Sequence, residues 1–237
     1  VTPADVDIIG VGPGQSRRVH LRMSRRDDGD FHLDPHDTGR VPSDLESRRR
    51  SFVDLPWSQP DEVHGTTVRV VTVPGEHDLA VADALVTTCD DAVLGIWVGD
   101  CAPVALVGDD ATLGAAHAGW RGAVDGVLHN TVSLMRDLGS VDVRAVLGPC
   151  IHPCCYAFGD ADLDAIVVRF GGGVEGRTTT GERALDMRAL VRAALAESGV
   201  VDLDDRSECT GCASPRYFSH RRRAERQRQV MALWRSS

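Results

Sequence analysis

The sequence predicts an α+β fold. Strand-like runs arrive in hairpin-like pairs mixed with amphipathic helices, with little of the regular strand–helix–strand alternation that builds a parallel sheet. The 237 residues are 42% apolar and 26% charged, which suits a chain with a sizeable core rather than a disordered one. No linker, internal repeat or low-complexity tract divides it, so residues 1–237 are expected to form one domain.

Near the start, DVDIIGVG reads as a strand ending in glycines. Gly10, Gly12 and Gly14 do not make a phosphate loop, because neither a lysine nor a helix-forming run follows in register. The segment that follows, to about Val41, shows no period. Residues 43–52, SDLESRRRSF, read as a short helix capped by Ser43, with Glu46 at capping-box spacing. Residues 66–73, 80–88 and 92–98 carry β-rich runs, and 104–107 and 112–116 form a pair joined by a GDD turn. Residues 122–138 place Val124, Val127, Leu128, Thr131, Leu134 and Met135 at three- and four-residue spacings, a one-faced helix with Gly126 as its weak point.

Further strands and helices are expected at 143–147, 160–170 and 190–197, the last stopped by Gly199. The glycine- and threonine-rich stretch 171–181 reads as a mobile loop or an insertion. Residues 209–215 read as a turn, and 220–234 as a closing basic helix.

Subtracting 35 acidic from 26 basic residues leaves −9, which disfavours a nucleic-acid partner. No apolar run approaches a membrane span. The charge order of the first twenty residues is the reverse of a secretory signal, so the seven cysteines are expected to be mostly thiols in a reducing cytoplasm. The arginine clusters at 48–50 and 221–223 read as solvated helix ends or faces.

The chemistry concentrates in WVGDCAPVALVGDDATLGAAHAGWRG, residues 97–122. Cys101 follows one apolar strand, His117 ends another, and His64 stands at the entrance of a third. Two imidazoles and a thiolate suit zinc, and three protein ligands leave a fourth position open to activate water or polarise a substrate oxygen. Copper also accepts such ligands, but no axial methionine stands beside the trio. The separations of 37 and 16 residues form no compact motif. Packed core residues and a Cys–His nucleophilic pair therefore remain open on spacing alone. Glu62, two residues before His64, is the candidate proton carrier, and Asp100, beside Cys101, a second acid or a turn cap. Arg121 is the candidate phosphate fork, with Arg221 and Arg222 behind it. Adjacent Cys154 and Cys155 are expected to point apart and to pack. Cys209 and Cys212 have CxxC spacing without a second CxxC.

The segments DEVHG, GDCAPVALV, AAHAGWRG, LGPCIHPCCYAFG and CTGCASPRYFSHRR resemble the signature of the YfiH-like family, also called the multicopper polyphenol oxidoreductase or laccase-domain family. The resemblance runs from about Arg22 to the C-terminus and is densest over residues 100–122. It implies a four-layer αββα sandwich with mixed sheets and a Zn2+ held by His64, Cys101 and His117. It also implies purine nucleoside and phosphate as substrates: phosphorolysis of adenosine, inosine, guanosine and methylthioadenosine, with adenosine deamination beside it. The alternatives are a copper-dependent laccase-like oxidase and a non-catalytic protein stapled by metal. The chain departs from the family pattern at Glu62 (usually glutamine), His32 (asparagine), Ala157 (an acid) and Arg223 (aspartate).

Overall fold

The structure is a computed structural model, and it describes residues 5–11, 17–33 and 41–236. Gly12 and Gly14 lie outside the described residues. In chain order the elements are β1 (Asp5–Val11), β2 (Arg17–Met23), α1 (Leu45–Phe52), β3 (Trp57–Ser58), β4 (Val68–Val71), β5 (Ala84–Thr87) and β6 (Val93–Val98). There follow β7 (Ala102–Gly108), β8 (Leu113–Ala118), α2 (Trp120–Asp125), α3 (Val127–Asp137), β9 (Val143–Leu147) and α4 (Asp160–Phe170). The chain closes with β10 (Glu175–Arg177), β11 (Arg183–Leu185), α5 (Met187–Glu197), β12 (Leu203–Asp205), α6 (His220–Arg223) and β13 (Gln229–Ser236).

Two mixed sheets carry the fold. One has the order β1-β2-β13-β6-β3, the other β12-β9-β7-β8-β5-β4. Most neighbours are antiparallel, but β3/β6, β4/β5 and β12/β9 are parallel. The sheets meet face to face through Leu21, Leu94, Ile96, Met231 and Leu233 on one side and Leu85, Ala105, Leu113 and Val146 on the other. The opposite face of the six-stranded sheet, with Val104, Leu106 and Ala116, is covered by Leu128, Val132 and Met135 of α3 and Leu190, Val191 and Leu195 of α5. On the far face of the first sheet, Leu45 and Phe52 of α1 pack with Phe31, Trp57 and Val230. Helix, sheet, sheet, helix is the sandwich the sequence leads one to expect.

Several local expectations are corrected. The α1 cap is Asp44, not Ser43, and neither it nor Glu46 closes a side-chain box. Arg49 is buried rather than solvated, its guanidinium forked onto the Asp78 carboxylate at 2.9 Å and bonded to Gln59. Residues 122–138 form two helices, broken where Gly126 takes φ 105°, a conformation that costs glycine little. Part of 171–181 is the first strand of the β10/β11 hairpin, held where Arg183 pairs with Glu175, Asp160 and Asp164.

The largest correction concerns 220–234. It is four helical residues, ended by Ala224 in the left-handed region, followed by β13 between β2 and β6. Both faces of a central strand are covered, so Val230, Met231, Ala232 and Leu233 are all fully buried. Such a strand loses the alternation that would distinguish it from a buried helix.

Candidate metal centre

Sheet register gathers the site. In the six-stranded sheet, Ala84 of β5 lies opposite Ala116 of β8, and Ala102 of β7 lies opposite Ala118. That places Asp83, His117 and Cys101 together at one end of three adjacent strands. His64 joins them from the loop that leads into β4.

The ligand atoms of His64, Cys101 and His117 all lie within 4.8 Å of one another. Cys101 Sγ is 3.7 Å from His64 Nε2, and the two imidazole rings meet edge to face with centroids 4.8 Å apart. Around a tetrahedral zinc with Zn–N and Zn–S bonds of about 2.1 and 2.3 Å, such atoms would stand roughly 3.5 Å apart. The trio therefore fits one ion. His117 donates Nδ1–H to Asp83 Oδ1 at 2.9 Å, which leaves Nε2 as its free nitrogen, the arrangement typical of a metal-ligating histidine.

Asp83 does a second job. Its carboxylate accepts the backbone amides of His64 and Gly65, each at 2.8 Å. His64 has φ 61°, a left-handed conformation that costs a non-glycine residue about 1 kcal/mol or more, and the two amide bonds offset that cost. Space is equally constrained. A Cβ on Gly119 would lie 2.7 Å from His64 Cδ2 and 3.4 Å from Cys101 Sγ, so the glycine of HAGWRG leaves room for both side chains.

The electrostatics of the bare site are those of an ion pair. Burial alone would raise the Cys101 thiol, but the charge of His117 and hydrogen bonds from both imidazoles bring it down to about 6. Burial would lower His117, yet Glu62 and Cys101 outweigh it and push the imidazole well up. A thiolate beside a protonated imidazole is ready to exchange that proton for a metal.

The trio lines a cavity of about 320 Å³, within the range of small-molecule sites. Trp97, Tyr156, Arg221 and Arg228 complete much of its wall, and the Arg221 guanidinium sits 4.7 Å over the Tyr156 ring.

The other expected residues separate on inspection. Glu62 is fully buried on the cavity wall, with Oε1 accepting the Trp97 amide at 2.8 Å and Oε2 lying 3.6 Å from His117 Nδ1. Burial, only partly opposed by His117 and that amide, holds its carboxyl well above the usual carboxylate range. Asp100 also borders the cavity, but it accepts the Thr210 hydroxyl at 2.6 Å, the Ser219 hydroxyl at 2.7 Å and the Arg221 amide at 2.7 Å. Arg121 is exposed and stacks 4.3 Å over the Trp120 ring; the cavity wall carries Arg221 and Arg228 instead. Of the departures from the family pattern, His32 packs on Trp97 at a 5.1 Å centroid distance, and Ala157 offers its carbonyl to Arg221. Arg223 is not a solvated charge: it ties the carbonyls of Thr210, Gly211 and Tyr217.

Sequence reasoning missed Asp83, Trp97, Tyr156 and Arg228. Trp97 opens the 97–122 stretch and Tyr156 stands inside CCYAFG, so these two carried a signal. Asp83 carries no spacing signal, because only the β5/β8 register brings it to His117.

The mixed-sheet sandwich and the convergence of His64, Cys101 and His117 are what the YfiH-like resemblance implies. A family model described as "Multi-copper polyphenol oxidoreductase laccase" matches residues 40–236, and the chain belongs to this family. A purine nucleoside phosphorylase of Corynebacterium glutamicum is 32% identical over 215 residues, covering 86% of each chain. The adenosine deaminase RL5 of an unknown prokaryotic organism is 35% identical over 162 residues, 62% of this chain and 59% of that one. Among solved structures, YlmD from Geobacillus stearothermophilus superimposes with a TM-score of 0.78 at 25% identity, covering 100% of this chain and 98% of that one. Among the described residues, no helix is long and apolar enough to cross a membrane.

Proposed function

We propose that the chain is a zinc-dependent purine nucleoside phosphorylase that also deaminates adenosine. One observation carries this reading. Two imidazoles and a thiolate converge on a point in the wall of a cavity that also presents aromatic rings and guanidinium groups.

His64, Cys101 and His117 would hold the ion, and zinc bound there would supply a Lewis acid toward a substrate oxygen. Trp97 offers its ring surface to a purine, which stacks on an aromatic face whatever its substituents, while the Tyr156 ring backs the Arg221 guanidinium. Arg221 and Arg228 take the phosphate; a guanidinium fork matches two of its oxygens. Arg121, turned onto Trp120, is assigned to the rim. In phosphorolysis the bond from C1′ of the sugar to N9 of the base breaks, a phosphate oxygen bonds to C1′, and the base leaves with a proton. Glu62, which burial shifts toward its protonated form, is assigned to carry that proton. Asp100 is a positioning residue, since three donors occupy its oxygens. The names of the relatives support both activities.

Product identification tests the reading. Inosine should yield free hypoxanthine and ribose 1-phosphate only when phosphate is present, and adenosine should also release ammonia without it. Stoichiometric copper with oxygen uptake on phenols, and no base release, would favour the laccase-like alternative.

A further inference from the structure

A second cluster of metal-ligating side chains lies outside the site just described. Cys154 and Cys155 come from a short 3-10 turn, Pro153–Cys155, and Cys209 and Cys212 from the turn that precedes α6. All four thiols are free, and their Sγ atoms lie within 4.8 Å of one another. The adjacent cysteines were expected to point apart, as in extended chain. In a 3-10 turn successive side chains are only about 120° apart, so both reach the same side.

The distances separate the explanations. Cys154 Sγ is 3.8 Å from Cys155 Sγ, 3.6 Å from Cys209 Sγ and 3.5 Å from Cys212 Sγ, and Cys155 Sγ is 3.3 Å from Cys212 Sγ. A disulfide would need about 2.05 Å. Four sulfurs at the corners of a tetrahedron around zinc, each at about 2.3 Å from it, stand roughly 3.8 Å apart. Two backbone contacts hold the cluster in place. The His152 backbone amide points at Cys209 Sγ from 3.4 Å, and Arg223 grips the Gly211 carbonyl at 3.0 Å. Gly211, inside the CxxC turn, has no room for a side chain: a Cβ there would come within 2.8 Å of Cys155 Cβ and 2.9 Å of its Sγ.

We propose that Cys154, Cys155, Cys209 and Cys212 form a second, structural zinc site, closed by four thiolates. On binding, each thiol gives its proton to solvent and the sulfur forms a bond to the ion. With no open position the site is a staple rather than a catalyst. It joins the two segments that wall the cavity. Thr210 between the paired cysteines bonds Asp100, the neighbour of Cys101, and Tyr156, which follows Cys155, lines the cavity itself.

The test is metal analysis of untagged protein purified with reductant, paired with the spectrum of the cobalt-substituted protein. Two zinc ions per chain are expected, falling to one in Cys101→Ala and to one in Cys212→Ser. The cobalt form of Cys101→Ala should keep the intense sulfur-to-cobalt absorption of a four-thiolate site. If Cys212→Ser does not fold, the wild-type stoichiometry and the Cys101→Ala spectrum still decide. One zinc in wild type and none in Cys101→Ala, with the four cysteines reacting freely with a disulfide reagent in native protein, would overturn the proposal and leave the catalytic site intact. The reverse pattern, one zinc kept in Cys101→Ala and lost in Cys212→Ser, would support the staple and remove the catalytic metal.

Discussion

Asp83 lies 2.9 Å from His117 and holds its Nδ1–H, while the same carboxylate takes the backbone amide of His64 at 2.8 Å. One buried acid thus orients two candidate ligands that are 53 residues apart in sequence. The convergence of these side chains is therefore a property of the β5/β8 register as much as of the residues themselves.

Replacing that acid should loosen the metal without removing a ligand. Asp83→Asn is expected to lower zinc affinity by about 10- to 100-fold, read by competition with a chromogenic chelator. Unchanged affinity would mean that the carboxylate orients neither imidazole.

Crowding gives a second handle. Gly119→Ala places a methyl group against His64 Cδ2, and the N-cap backbone there, φ −63°, accepts alanine without strain. Zinc content should fall while the thermal midpoint of the metal-free protein stays nearly constant. A variant that keeps full zinc would show that His64 can withdraw freely.

The ion pair in the bare site has a pH signature. In chelator-treated protein, alkylation of Cys101 should rise with pH through a midpoint near 6, because the thiolate is the reactive form and exists above that value. His117→Asn removes the largest influence lowering it, so the midpoint should climb toward that of an ordinary thiol. A wild-type midpoint near 9, the unperturbed value, would contradict the ion pair.

Asp100 separates positioning from proton transfer. Asp100→Asn should destabilise the fold by about 1–3 kcal/mol, because bonds to a charged acceptor are lost or weakened. Turnover should drop with the pH profile unmoved. A shifted profile with unchanged stability would make Asp100 an acid–base group instead.

How much of this could be read in the sequence depends on how local each signal is. The strand 143–147 and the helix 160–170 match β9 and α4 to the residue, because apolar runs with clear punctuation report their own conformation. Cys101 and His117 were identifiable at strand ends, His64 only as a loop residue ahead of β4, and the family resemblance grouped the three. Arg121 looked right for phosphate by closeness to the candidate ligand His117, yet helix geometry turns it onto Trp120, and the cavity takes its cations from Arg221 and Arg228, far along the chain. The four-cysteine cluster was equally hidden: its two halves are more than fifty residues apart and meet only in the fold, where Cys150 bridges Cys209 and the His152 amide reaches Cys209 Sγ. β13 was misread because a strand buried on both faces has no alternation to detect.

The most direct measurement is phosphorolysis of inosine by metal-stripped protein as zinc is returned to it. Activity should reappear with zinc in wild type and stay absent in Cys101→Ala at every zinc concentration, with both proteins folded by circular dichroism. Full phosphate-dependent activity in Cys101→Ala, or in protein free of zinc, would contradict a reaction that runs at the His64, Cys101 and His117 centre.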